Sequence, residues 1–184
     1  MSEENPCLVF FEQHEGDNRK VCALREEPDA LKWEDLTASR YSPGTVKPGE
    51  RVLRLAFQPL HIDPETRSLK LSAVSDLKDK GFSVDRLSYI SRERCIESGS
   101  KRAANAVLEG RTPRELRAVA TLGVHEVRAI LVDGVQAVGV YDTAKKDNHA
   151  HADICQLVPE GRAGRSVRSR LLELCDSYLE ILTN

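Results

Sequence analysis

The dipeptide Asp133-Gly134 constrains this chain more than any other feature. It stands between two apolar runs, residues 125–132 and 135–141, and Asp-Gly supplies the two positive-φ positions that a tight two-residue hairpin turn demands. Two antiparallel strands are therefore expected there, with more strands beside them.

Several segments extend that sheet. Val52-Leu53-Arg54-Leu55-Ala56-Phe57 reads as a strand ending near Pro59, and the turn Asp63-Pro64-Glu65-Thr66 leads to a weaker run over residues 69–74. Residues 149–158 alternate in part and read as a further strand. Helices are signalled between them. Ser91 can cap a helix that carries Cys95, Ile96, Ala103, Ala106 and Val107 at helical spacing, weakened by Gly99 and stopped at Gly110. Thr112-Pro113-Arg114-Glu115 has a capping Thr, a Pro at the first position and a Glu three residues after the cap, which predicts a short helix. After Gly161 and Gly164 a final helix is expected, with Val167, Leu171, Leu174, Tyr178 and Leu182 as its apolar stripe. The fold class that follows is α+β: a mostly antiparallel sheet with helices packed on one face.

The first fifty residues have a different texture. Cys7-Leu8-Val9-Phe10-Phe11 and Val21-Cys22-Ala23-Leu24, separated by a polar stretch containing Gly16, read as a hairpin. A short helix follows, started by Pro28 and carrying Leu31, Leu36 and the lone Trp33, which reads as a core anchor. Two Pro-Gly breaks, Pro43-Gly44 and Pro48-Gly49, then mark a connection. The organisation expected is a hairpin-helix segment over residues 1–50, either an extension or part of the same domain, and a main α+β domain over residues 51–184.

Charge and cysteine content narrow the partners. With 27 Lys and Arg against 29 Asp and Glu the net charge is −2, so the basic excess typical of nucleic-acid binding is missing and such a partner is not supported. No apolar run reaches the ~18 residues that a membrane-spanning helix requires, and the start of the chain is acidic where a secretory leader is basic and then apolar. The expected setting is cytoplasmic, with no membrane partner. Five cysteines without a Cys-x-x-Cys pair argue against a disulfide framework or a zinc knuckle.

Two constellations carry chemistry. In His149-Ala150-His151-Ala152-Asp153-Ile154-Cys155, strand alternation places His149, His151, Asp153 and Cys155 on one face and the apolar residues on the other. Histidine is a proton donor or acceptor near neutral pH, and a carboxylate beside it orients the ring. His61, two residues before Asp63, is a further candidate; no metal is assigned, because the spacing lacks a metal-site signature. The second constellation is the crowd of arginines from Arg162 to Arg170 at the start of the last helix, whose later turns are acidic. That order opposes the helix dipole, and an anion held by Arg162 and Arg165 near the helix start would relieve the conflict. The segment lacks the Gly-Lys-Ser/Thr ending of a Walker loop, and no Gly-x-Ser-x-Gly nucleophile elbow is present. Asp85, Arg86 and Tyr89 form a smaller polar group, in which a buried Asp/Arg pair either shapes a pocket or, as is more common, ties a loop to the sheet.

The function these residues suggest is a polar pocket for a phosphorylated or otherwise anionic small ligand, with transfer or hydrolysis as the accompanying chemistry. In it His149, His151, Asp153 and His61 handle protons, and Arg162 and Arg165 hold the anion. Whether the pocket turns a substrate over, and with what cofactor, is left open. The alternative is a non-catalytic interaction or immunity-type accessory module whose N-terminal hairpin and Trp33 segment meet a protein partner.

Overall fold

A computed structural model describes residues 4–183. The segment 52–57 is apolar at five of its six positions, and as the strand β1 (Arg51–Gln58) it buries both of its faces. A strand apolar on both sides belongs in the middle of a sheet covered on both sides. β2 (Phe82–Arg86) and β3 (Glu115–Gly123) flank it, β7 (His151–Gln156) and β6 (Val138–Tyr141) extend the β2 side, and β8 (Leu179–Ile181) closes the other edge. Every pairing in this six-stranded sheet is antiparallel. The protein is thus of the α+β class.

The two long helices lie on opposite faces. α5 (Arg162–Ser177) and a 3-10 helix over Leu71–Lys78 bring Val167, Leu171, Cys175, Val74 and Leu77 onto Val52, Phe82, Val84, Ala120, Ala152 and Ile154. α3 (Arg92–Leu108) brings Cys95 and Ala103 onto Leu53, Leu55, Phe57 and Val119. The expected arrangement, with helices on one face, is therefore extended to both, because β1 lacks the polar alternation that would leave one face to water. Ser91 caps α3 as expected, accepting from the Arg94 amide at 3.3 Å. Gly99 lets α3 approach the sheet: a Cβ there would stand 2.9 Å from Leu116 Cδ2 and 3.0 Å from Leu55 Cδ1.

Five local readings are corrected. Residues 7–11 and 21–24 form α1 (Pro6–Gln13) and α2 (Lys20–Leu24), not a hairpin. Asn5 accepts from the Leu8 amide at 3.2 Å, Pro6 starts the helix, and Cys7, Phe10 and Phe11 fall at helical spacing on its buried side. The expected helix at Thr112 is absent, because residues 116–122 are pulled into β3 between β1 and β8. The weak run at 69–74 enters the 3-10 helix. The final helix stops at Ser177, so that Leu182 packs from beyond β8. The Asp133-Gly134 turn forms with the required positive φ values of 50° and 79°, but its arms are short. β4 (Leu131–Val132) pairs with β5 (Val135–Gln136), while His125 lies in α4 (Val124–Arg128) and β6 pairs with β7.

The N-terminal helices lean on the same face as α3, at the other end. Phe10, Phe11, Val21, Leu24 and Trp33 form a cluster with Tyr141 and Cys155 of the sheet, and Tyr141 Oη donates to the Ala30 carbonyl at 2.8 Å. The buried Glu34 carboxylate accepts from the Val140 amide, Arg128 Nε and Gln136 Nε2 at 2.7–2.9 Å. Between this cluster and the one under α3, the sheet face is polar: the register pairs Ser83 with Asp153 and Asp85 with His151. Among the described residues, no helix is long and apolar enough to cross a membrane.

Candidate functional site

The polar strip on β2 and β7 floors a cleft of about 830 Å³. Its walls come from the end of α1 and the following loop (His14 to Asn18), from residues 38–41, from Lys80 and Gly81, and from residues 143–147. Gly81 has φ +95°, and a Cβ on it would come within 3.0 Å of Asp153 Cβ and Cγ. The backbone thus crowds the floor where only glycine fits.

Asp153 is the anchor of the floor. Its side chain is 3% exposed; Oδ2 accepts from Lys20 Nζ at 2.7 Å and Oδ1 from Ser83 Oγ at 3.0 Å. Burial resists ionisation, but the charge of the neighbouring His151 ring at acid pH, the Lys20 ammonium and these hydrogen bonds bring the carboxyl down to about 2. Burial would equally depress Lys20, and Asp153 outweighs it and holds the ammonium above its ordinary value. The pair is ionised and mutually neutralised.

His151 sits beside this pair with a fixed tautomer. Nδ1 lies 2.9 Å from the Thr143 carbonyl and 3.0 Å from Thr143 Oγ1. A carbonyl only accepts, so Nδ1 carries the hydrogen and Nε2 presents its lone pair. Nε2 is 3.8 Å from Asp153 Oδ1. Burial pushes the ring below its ordinary value of 6.5, with the Lys145 charge adding to that and Asp153 opposing it, so the imidazole is neutral at pH 7. A neutral imidazole oriented by a backbone carbonyl, next to a carboxylate that can stabilise its cation, is equipped to take up a proton at Nε2.

The rim adds charge. Lysines and arginines around the cleft equal the acids in number, and several of each are paired: Glu12 holds Arg40 at 2.6 Å, Asp17 holds His14 at 3.2 Å and the Arg19 amide at 2.7 Å, and Lys80 holds Asp76 at 3.5 Å. Lys145 and Lys146 stand exposed on the loop beside His151.

The sequence candidates divide accordingly. His151, Asp153 and Cys155 share a face of β7, and the first two reach the cleft. His149 precedes the strand in a turn, is exposed, and has its ring 6.3 Å from that of Tyr41. His61 is under the opposite face, in a small apolar cavity lined also by Arg54, Phe82 and Cys175, its Nδ1 accepting from the Phe57 amide at 3.2 Å. Burial and the nearby Arg54 push it down to about 4. Arg162 and Arg165 are exposed at the start of α5, away from the cleft lining, while Arg168 pairs with Glu160 at 2.7 Å. The structure therefore does not bring His61, His149, Arg162 and Arg165 together with His151 and Asp153. Trp33, on which the interaction reading leaned, is 8% exposed and packs on Phe10.

Lys20, Ser83, Thr143 and the Lys145-Lys146 pair escaped the sequence reading as site residues. The paired lysines in a polar loop next to His149 were a usable signal; Lys20, 133 positions from Asp153, offered none. Among the described residues, no group of three or more His, Cys, Asp or Glu is arranged to hold a metal ion. Compared with protein-family models, curated proteins and solved structures, the chain matches none, so the site is read from its own geometry.

Proposed function

We propose that the cleft binds a small ligand carrying a phosphate or another anionic group. Lys145 and Lys146 engage the anion, with Lys80 on the opposite wall, and His151 Nε2 accepts from a ligand hydroxyl or a bound water. The observation that carries this reading is the His151 tautomer fixed by Thr143, which leaves a lone pair at the floor of a cleft with cations on its rim. Where the ligand is turned over, the step it supports is general-base transfer or hydrolysis. Nε2 takes the proton of the attacking hydroxyl or water, the oxygen forms the new bond to phosphorus or carbonyl carbon, and the leaving group departs with its electron pair. The imidazolium formed is stabilised by Asp153. Five free thiols are in keeping with a cytoplasmic setting.

Isothermal titration with inorganic phosphate and with AMP tests this in the wild type and in a Lys145→Ala/Lys146→Ala double variant, whose changes are at exposed positions. Binding is expected in the wild type and at least ~10-fold weakening in the variant, the equivalent of ~1.4 kcal/mol. Absence of binding to the wild type, or equal affinity in both, would overturn the proposal.

A further inference from the structure

Behind the cleft lies a buried cluster with more negative than positive charge. Arg86, wholly buried at the end of β2, is gripped by Glu50 through Nε–Oε2 at 2.9 Å and Nη2–Oε1 at 2.7 Å, and donates to the Gly44 and Thr45 carbonyls at 2.7 and 3.2 Å. A second carboxylate, Asp142, is 1% exposed and faces the same guanidinium, with Oδ1 3.4 Å from Arg86 Nη1 and no hydrogen-bond partner of its own. Its Oδ2 meets the Ser42 hydroxyl. One guanidinium already committed to Glu50 cannot balance two carboxylates, and burial makes the surplus charge costly.

The position of Asp142 gives that surplus a consequence. The next residue, Thr143, fixes the His151 ring, and Lys145 and Lys146 follow. Ser42 and Glu50 belong to the connection whose earlier residues, 38–41, form a wall of the cleft. Asp142 thus ties both walls together at their base.

We infer that Asp142 is a proton-operated latch on the cleft: neutral, it stays buried against Ser42 and holds the 42–50 connection to the 142–148 loop, and ionised, its buried charge favours entry of water and loosens the loop that carries Thr143, Lys145 and Lys146. This rests on the proposed anion-binding reading for its effect on ligand, though not for the latch itself. The groups facing Asp142 are Arg86 from β2, Glu50 and Ser42 from the connection, Cys7 from α1, and the Ala144 amide of its own loop. Burial moves Asp142 up to about 6 against the pull of Arg86 and Ala144. Burial also opposes Glu50 ionisation, but Arg86 keeps it below its ordinary value, and burial lifts the Cys7 thiol to about 12. Asp142 is therefore the member of the cluster that titrates near neutrality.

The test measures sulfate affinity, an anion whose charge is constant from pH 5 to 8, together with amide hydrogen exchange of residues 142–148, in the wild type and in Asp142→Asn. The amide mimics the protonated carboxyl and lies outside the cleft lining. In the wild type, affinity is expected to fall several-fold and the protection of the loop amides, their exchange rate set against the intrinsic rate at the same pH, to fall as pH rises through about 6. In Asp142→Asn that share of the affinity change, beyond what His151 contributes in both proteins, and the loss of protection are expected to vanish. Identical pH profiles in the two proteins overturn the latch. If sulfate binds neither protein, the anion-binding reading fails and the exchange data alone decide the latch. Should Asp142→Asn not fold, carbon NMR of the Asp142 carboxyl in the wild type decides it, and no titration between pH 5 and 7 overturns it.

Discussion

An Arg86→Met variant is expected to lose ~3–5 kcal/mol of folding stability at pH 7, the range seen when one partner of a buried charge network is removed. Methionine fills much of the same volume, so the loss reports charge and hydrogen bonding more than packing. Glu50 and Asp142 would be left facing each other, and the Gly44 and Thr45 carbonyls would lose their donor. Against a typical total of ~5–15 kcal/mol, such a loss approaches unfolding. Arg86→Lys is expected to recover only a minor part, because a single ammonium cannot bind both Glu50 oxygens and two carbonyls. The loss should shrink at pH 5, where Asp142 is largely protonated and only Glu50 remains charged. Urea denaturation at both pH values measures this; a cost below ~1 kcal/mol, or one independent of pH, would contradict the cluster's role.

Asp153→Ala is the second large effect, again ~3–5 kcal/mol, because it leaves the Lys20 ammonium, 16% exposed, without its counter-ion and Ser83 without its acceptor. Adding Lys20→Met should restore part of the stability, since the stranded charge is then gone. A double-mutant cycle whose two effects simply add would show that the pair is not coupled. The pH dependence has a definite sign. The folded carboxyl lies at about 2, below the ordinary 3.8, so its contribution of ~2 kcal/mol is complete above pH ~4 and is lost as pH falls towards 2. Acid titration of the wild type should show this loss, and Asp153→Ala should lack it.

Much of this architecture is written locally. β1 announces itself through a run apolar at five of six positions, α3 through the Ser91 cap and the spacing of Cys95, Ala103 and Ala106, and the Asp133-Gly134 turn through its backbone demand. The misreadings have two causes. Residues 7–11 are a short apolar run, and such a run does not separate helix from strand until the Asn5 cap and Pro6 are weighed. At Thr112 the capping pattern is a weak local preference, and the burial of Leu116, Ala118, Val119, Ala120 and Leu122 between two strands outweighs it.

The site was half legible. Period-two alternation put His151 and Asp153 on one face, and the register keeps them there. The same alternation failed for His149, because residues 145–148 turn and the strand begins only at His151. Distance in the chain hid the rest. Nothing near Lys20 foretells that α2 will lay its ammonium on Asp153, and the arginines of α5, conspicuous in sequence, stand on a surface remote from the cleft lining. Local composition locates charged residues, and only the pairing of β2 with β7 decides which of them meet.

In the proposed reading His151 offers a bare Nε2 to an anionic ligand in this cleft. Long-range proton–nitrogen NMR of its imidazole at pH 7, before and after saturating phosphate, reads that nitrogen itself. A neutral ring with the proton on Nδ1 is expected, with an Nε2 resonance that moves when phosphate is added. A proton on Nε2, or an Nε2 resonance indifferent to phosphate, would contradict it.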